Sequence, residues 1–161
     1  MFLECPGTFL GVQICWPEGG RVQGVGELSV ILDQPLEKAE ASVRLALKEQ
    51  GFGVLTEIDV AQVFKDKLDV TRRPLKILGA CNPVMANEAI SRDIDVALVL
   101  PCNVVLDAVS DTQTVVSIAD PMTIMPGADL SDLVDQAKKS LAAVLETLTK
   151  PGSTVEPGLV G

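Results

Sequence analysis

The sequence predicts a single α+β domain in which helices lie against one face of a mixed or antiparallel sheet. Apolar runs of strand length alternate with amphipathic helical stretches through short connections, Ser110-Asp111-Thr112 joins two neighbouring runs as a hairpin, and a long helical stripe follows. At 161 residues, 47 % of them hydrophobic, the chain holds one core, because a domain of this size buries roughly 70 % of the surface its unfolded form exposes. With aromatics at 3 %, that core is built from Val, Leu, Ile and Ala.

Residues 1–26 read as an irregular extension, punctuated by Pro6-Gly7, Pro17, Gly19-Gly20 and Gly24-Val25-Gly26 and holding the only tryptophan, Trp16. Their glycine spacing is not that of a dinucleotide-binding loop, and they lead into a strand where such a loop must open a helix. The domain proper spans 27–150. Leu28-Ser29-Val30-Ile31-Leu32 is a short apolar run and reads as a strand. Asp33-Gln34 supply capping groups, with Pro35 at the first position of a helix whose Leu36, Ala39, Val43, Ala46 and Leu47 recur at helical spacing. Gly51 closes that helix in the left-handed conformation.

Val54 to Ile58 is extended, and Asp59, three residues before Gln62, caps a short helix carrying Val63, Phe64 and Leu68. After a break at Arg73-Pro74, Leu75 to Ala80 reads as a buried strand. Asn82-Pro83 then opens a helix with Met85, Ala86, Ala89 and Ile90 on one face. Val96 to Leu100 reads as a further extended run, and Val104 to Val109 resumes it after Pro101-Cys102-Asn103. The hairpin turn leads into Thr114 to Ala119. In the last helix Leu130, Leu133, Val134, Ala137, Leu141, Val144, Leu145 and Leu148 form one stripe, with Asp129, Asp132 and Asp135 toward its positive start. Pro151-Gly152-Ser153 and Pro157-Gly158 mark residues 151–161 as a flexible tail.

Histidine is absent, which removes the usual general base and the commonest metal ligand, so neither a Ser-His nor a Cys-His pair can be assembled within the chain. A net charge of −9, with no basic cluster beyond Arg72-Arg73, predicts neither nucleic acid nor membrane as a partner. The longest apolar stretch, Val96 to Leu106, is interrupted by Pro101-Cys102-Asn103, and Glu4 stands where a secretory signal carries basic residues. A cytoplasmic setting follows as the expectation, with the four cysteines as reduced thiols.

Two cysteine motifs carry what chemistry the sequence offers. Cys81 follows a strand and precedes the helix start at Asn82-Pro83, a place that favours the thiolate; the bland alternative is a small buried apolar residue ending a strand. Cys102, between Pro101 and Asn103, sits at a bend, and if its strand neighbours that of Cys81 the two thiols can share a ligand, a soft metal or a reversible disulfide. The 21-residue spacing matches no metal signature, so no metal is assigned and the cofactor is left unknown. Cys5 and Cys15 lie in the extension and read as unconnected to this pair. Glu57, alternating with Ile58 so as to project away from Val54 and Ile58, and Asp59 are carboxylates that can serve a thiol as acid, base or cation ligand, although capping alone accounts for Asp59. Asp120-Pro121 reads as a turn signal before it reads as a site.

Gly51-Phe52-Gly53-Val54-Leu55-Thr56-Glu57-Ile58-Asp59-Val60, Leu78-Gly79-Ala80-Cys81-Asn82-Pro83, Leu100-Pro101-Cys102-Asn103-Val104 and Asp120-Pro121 follow one another in this order. In these four motifs, from about Asp33 to Met125, the chain resembles the domain of unknown function 302 family. The resemblance implies a β-α-β(4)-α arrangement with an antiparallel sheet packed by helices, similar in fold to half of a TATA-box-binding protein, with short extra helices here. It also implies a homodimer. It carries over Glu57, Asp59, Cys81, Asn82, Pro83, Pro101, Cys102, Asn103, Asp120 and Pro121 without roles, and it does not extend to the N-terminal segment. Two functions compete: a ligand, metal or redox-partner site with Cys81, Asn82, Cys102, Asn103, Glu57 and Asp59 as its candidate residues, or a non-enzymatic dimeric interaction module in which the cysteine motifs are structural turns.

Overall fold

The computed structural model of the protein describes residues 28–125 and 128–150, together with the backbone of 8–9 and 12–13. The predicted extension over 1–26, with Cys5 and Cys15, and the predicted tail over 151–161 lie outside the described residues, apart from an antiparallel pairing of β1 (Thr8–Phe9) with β2 (Val12–Gln13).

The main sheet has five strands, β3 (Leu28–Leu32), β4 (Gly53–Asp59), β5 (Leu75–Cys81), β6 (Cys102–Ala108) and β7 (Thr114–Ile118), in the order β3-β7-β6-β5-β4 with every neighbouring pair antiparallel. Helix α1 (Leu36–Glu49) carries the chain from one edge strand, β3, to the other, β4; β5, β6 and β7 then fill the space between them in turn, and α5 (Ser131–Thr149) closes the domain. This is the strand, helix, four strands, helix order, with α2 (Val60–Leu68), α3 (Pro83–Arg92), α4 (Pro121–Ile124) and two short 3-10 turns added in the connections.

Helices α1 and α5 pack on each other and on one face of the sheet. Val43 and Leu47 of α1, Leu141 and Val144 of α5, and Leu78, Val104, Leu106, Val116 and Ile118 of the strands are almost fully buried there. Each such side chain contributes on the order of 1.5–3 kcal/mol, which makes this layer the principal source of stability. The alternation is clearest on β6, where Cys102, Val104, Leu106 and Ala108 are buried and Asn103 is exposed. On the opposite face Ile31 is 60 % exposed, and Val105 and Val115 are half-buried.

Several local expectations are met. Gly51 has φ +78, where an L side chain is strained, and the amides of Gly51 and Phe52 return to the carbonyls of Lys48 and Leu47 to end α1. Asp59 Oδ1 accepts the Gln62 amide at 2.9 Å to start α2. The β6–β7 hairpin closes with the Val109 amide on the Gln113 carbonyl.

Three expectations are corrected. Val96 to Leu100 is not extended: Ile94–Leu98 is a 3-10 helix, because the Asp93 carboxylate takes the Asp95 amide at 3.0 Å and only Val96 of the turn faces the core. The Leu100–Pro101 peptide is cis. The start of α1 has no side-chain cap, Pro35 itself holding the capping position; Asp33 accepts from Gln113 at 2.7 Å and Gln34 from Ser42 at 3.2 Å, so both are spent on tertiary contacts. Finally, a bulge at Leu55 shifts the β4 register, Val54 pairing with Ala80 and Thr56 with Gly79. It places Glu57 opposite Leu78, on the helix side with Val54, while Ile58 turns to the other face.

Candidate functional site

Cys81 is the last residue of β5 and Cys102 the first of β6, where Cys102 pairs with Ala80. The two cysteine motifs thus meet across one strand pair. Behind Cys81, the Asn82 Oδ1 accepts the amides of Val84 at 3.1 Å and Met85 at 3.2 Å, and Pro83 occupies the first turn, where its missing amide costs nothing. In front of Cys102, Pro101 packs on Gly79.

Both cysteines line a cavity of about 40 Å³ between the sheet, α3 and α5, walled by Phe52, Leu100, Val134 and other apolar residues, with Asn82 the one other polar residue among the described residues. Cys81 and Phe52 also border an open groove of about 390 Å³ whose rim carries Lys48, Leu55 and Pro83. Cys81 is 8 % exposed and Cys102 4 %, and both are free thiols.

At Cys81 burial opposes the thiolate that the helix start favours. Burial pushes its thiol up, and burial together with the adjacent Cys81 pushes Cys102 up to about 11. A helix start offers only partial charge within its first turn, and here the Asn82 side chain has taken its first free amides, so desolvation of the anion prevails.

The carboxylates do not join this site. Glu57 and Asp59 stand toward the far end of β4, whose Gly53 is the residue paired with Cys81; at about 3.4 Å per residue the six positions from Gly53 to Asp59 span roughly 20 Å. Glu57 instead bonds Lys76 at 2.9 Å and Arg44 at 2.5 Å, and both in turn bond Glu40. The Lys76 ammonium, foremost, and the Arg44 guanidinium hold the Glu57 carboxyl below its usual range, while Glu40 and Glu57 push Lys76 up to about 12. Asp59 is a cap. Asn103 is exposed, its carbonyl accepting the Ala119 amide at 2.9 Å. Asp120 is buried, capping α4 through Met122 at 2.9 Å and meeting Lys138 of α5 at 2.7 Å.

Two residues that sequence reasoning passed over as ligands line the cavity with the cysteines: Met85, read only as part of an apolar helix face, and Met125, which follows α4. Among the described residues no group of three or more His, Cys, Asp or Glu is placed to hold a metal ion. No helix of the described residues is long and apolar enough to cross a membrane.

A crystal structure of an uncharacterized conserved DUF302 protein from Bacillus stearothermophilus matches this fold with a TM-score of 0.66 at 26 % identity, over 73 % of this chain and 94 % of that one. No curated protein matches the sequence. The sequence matches the family described as Domain of unknown function DUF302 over residues 28–148, the span that folds into the five-stranded sheet and its two packing helices, and the chain belongs to that family.

Proposed function

We propose that this DUF302 domain is a binding module whose ligand occupies the hollow at Cys81 and Cys102. One observation supports the reading above others: both cysteines line the same apolar cavity, and Cys81 also borders the open groove. Neutral buried thiols suit a ligand site better than a nucleophile, since the thiolate is the attacking species. Reduced thiols of this kind belong to a cytoplasmic setting. Asn82, the polar residue of the cavity, belongs to the site; Asn103, exposed on β6, is left out of it.

The test is a thiol reporter applied to the Cys5→Ser/Cys15→Ser variant, which leaves only the cavity pair of the chain's four cysteines. Both thiols are expected to react slowly at neutral pH and faster above pH 9, Cys102 the slower of the two. Fast stoichiometric reaction at pH 7 would overturn the reading and return the pair to redox or nucleophilic chemistry.

A second reading is favoured by the sheet face turned away from α1 and α5, where Ile31 is 60 % exposed beside Val115. We infer a homodimer in which a second copy packs on this face, a stable interface needing about 800 Å² from each partner. Native mass measurement is expected to give a dimer for the wild type and a monomer for Ile31→Lys; a wild type that stays monomeric at micromolar concentration sinks the idea.

A further inference from the structure

The hollow at Cys81 gathers more sulfur than its cysteines supply. Cys81 at the end of β5, Met85 in the first turn of α3, Cys102 at the start of β6 and Met125 after α4 all line it. The whole chain has 4 Cys and 4 Met, and four of these eight sulfur-bearing residues line one small cavity, brought there by four separate segments.

We propose that this cavity binds copper(I), a soft monovalent cation, through the Cys81 and Cys102 sulfurs with the Met85 and Met125 thioethers. The inference rests on the reading of the hollow as a ligand site and names what fills it. Thiolate and thioether ligands suit soft centres, copper(I) among them, whereas carboxylate, carbonyl and water ligands suit magnesium, calcium and manganese; among the described lining residues Asn82 alone brings a side-chain oxygen of that second kind. Zinc takes four ligands from Cys, His and carboxylate, and among the described residues no three of these converge. A space of about 40 Å³ has room for a bare ion, since a single water already needs about 10–15 Å³.

Copper(I) enters from solvent, two S–H protons leave to solvent, and the two thiolates with the ion carry a net charge of −1; if only one proton leaves, the complex is neutral, as the apolar walls favour. No electron is transferred. Because protons are expelled, affinity rises with pH.

The experiment is an anaerobic titration of the full chain, in the Cys5→Ser/Cys15→Ser background, with copper(I) against a coloured copper(I) chelator. One equivalent is expected to be retained, with thiolate-to-copper absorption in the ultraviolet, while zinc(II) is not retained. Cys81→Ala or Cys102→Ala is expected to abolish retention. The volume-conserving pair Met85→Leu/Met125→Leu is expected to weaken it by about tenfold or more, the scale on which altered ligand shells act. No copper retained by a chain with native circular dichroism overturns the inference, as does retention indifferent to the cysteines; retention unchanged by the methionine pair overturns the four-sulfur site. If the thiols are slow toward the reporter and copper is still not held, the copper assignment alone fails; fast thiols sink the ligand-site reading beneath it.

Discussion

Pro101 lies against the bare face of Gly79 so closely that a Cβ on Gly79 would come within 2.6 Å of Pro101 Cγ and closer still to Thr56 Oγ1. Gly79 sits two residues before Cys81 and Pro101 one before Cys102, so this contact sets the approach of the two cysteine-bearing strand ends. It also explains why a glycine stands inside a buried strand.

Gly79→Ala is expected to destabilise the fold by about 1–3 kcal/mol, because the added methyl forces Pro101 or Thr56 to move in a packed layer. Urea denaturation gives the size of the loss, and the thiol reporter is expected to react faster with Cys81 and Cys102 as the strand ends part. Unchanged stability would mean that the Pro101 segment shifts freely.

The Asp120–Lys138 pair ties the start of α4 to α5. The Asp120 side chain is 4 % exposed and that of Lys138 32 %, at 2.7 Å. Lys138→Met leaves a buried carboxylate without its cation and is expected to cost about 2–3 kcal/mol, less than the 3–5 of a wholly enclosed pair because Lys138 keeps contact with water. Asp120→Asn, which keeps an oxygen for the Met122 amide and removes the charge, is expected to cost less. Equal losses in the two variants would refute this account.

The buried thiols make a prediction in alkali. Cys102 ionises near 9.0 when unfolded and is pushed up to about 11 when folded, so the unfolded chain gives up its proton first. Stability from this thiol is therefore complete below about pH 9 and is lost as pH rises toward about 11. Thermal unfolding midpoints are expected to fall across that window, and Cys102→Ala, less stable at pH 7, is expected to fall less steeply. Parallel curves for the two proteins would contradict the shift.

Asn82→Ala removes the acceptor for two α3 amides and is expected to cost about 1 kcal/mol, whereas Asn82→Asp, which keeps a capping oxygen, is expected to cost little. Chemical denaturation of the three proteins side by side checks this. Since Met85 is one of the capped residues, Asn82→Ala is also expected to weaken copper(I) retention more than Asn82→Asp does.

What the sequence determined by itself is local. Helical spacing on a single apolar stripe specified α5, the cap at Asn82-Pro83 and the cap at Asp59 were readable because each acts within three residues, and Ser110-Asp111-Thr112 announced its hairpin. The motif order around Cys81 and Cys102 was likewise legible. Only the tertiary structure decided what depends on distant neighbours. The Leu55 bulge is defined by its pairing with β5, so the turn of Glu57 toward Arg44 and Lys76 could not be read from alternation along β4. Met85 and Met125 are apolar residues like any others until α3 and the segment after α4 are folded onto the same cavity. The upward push on the Cys81 thiol comes from desolvation, a property of everything packed around the sulfur, and runs against the helix start that its sequence position supplies.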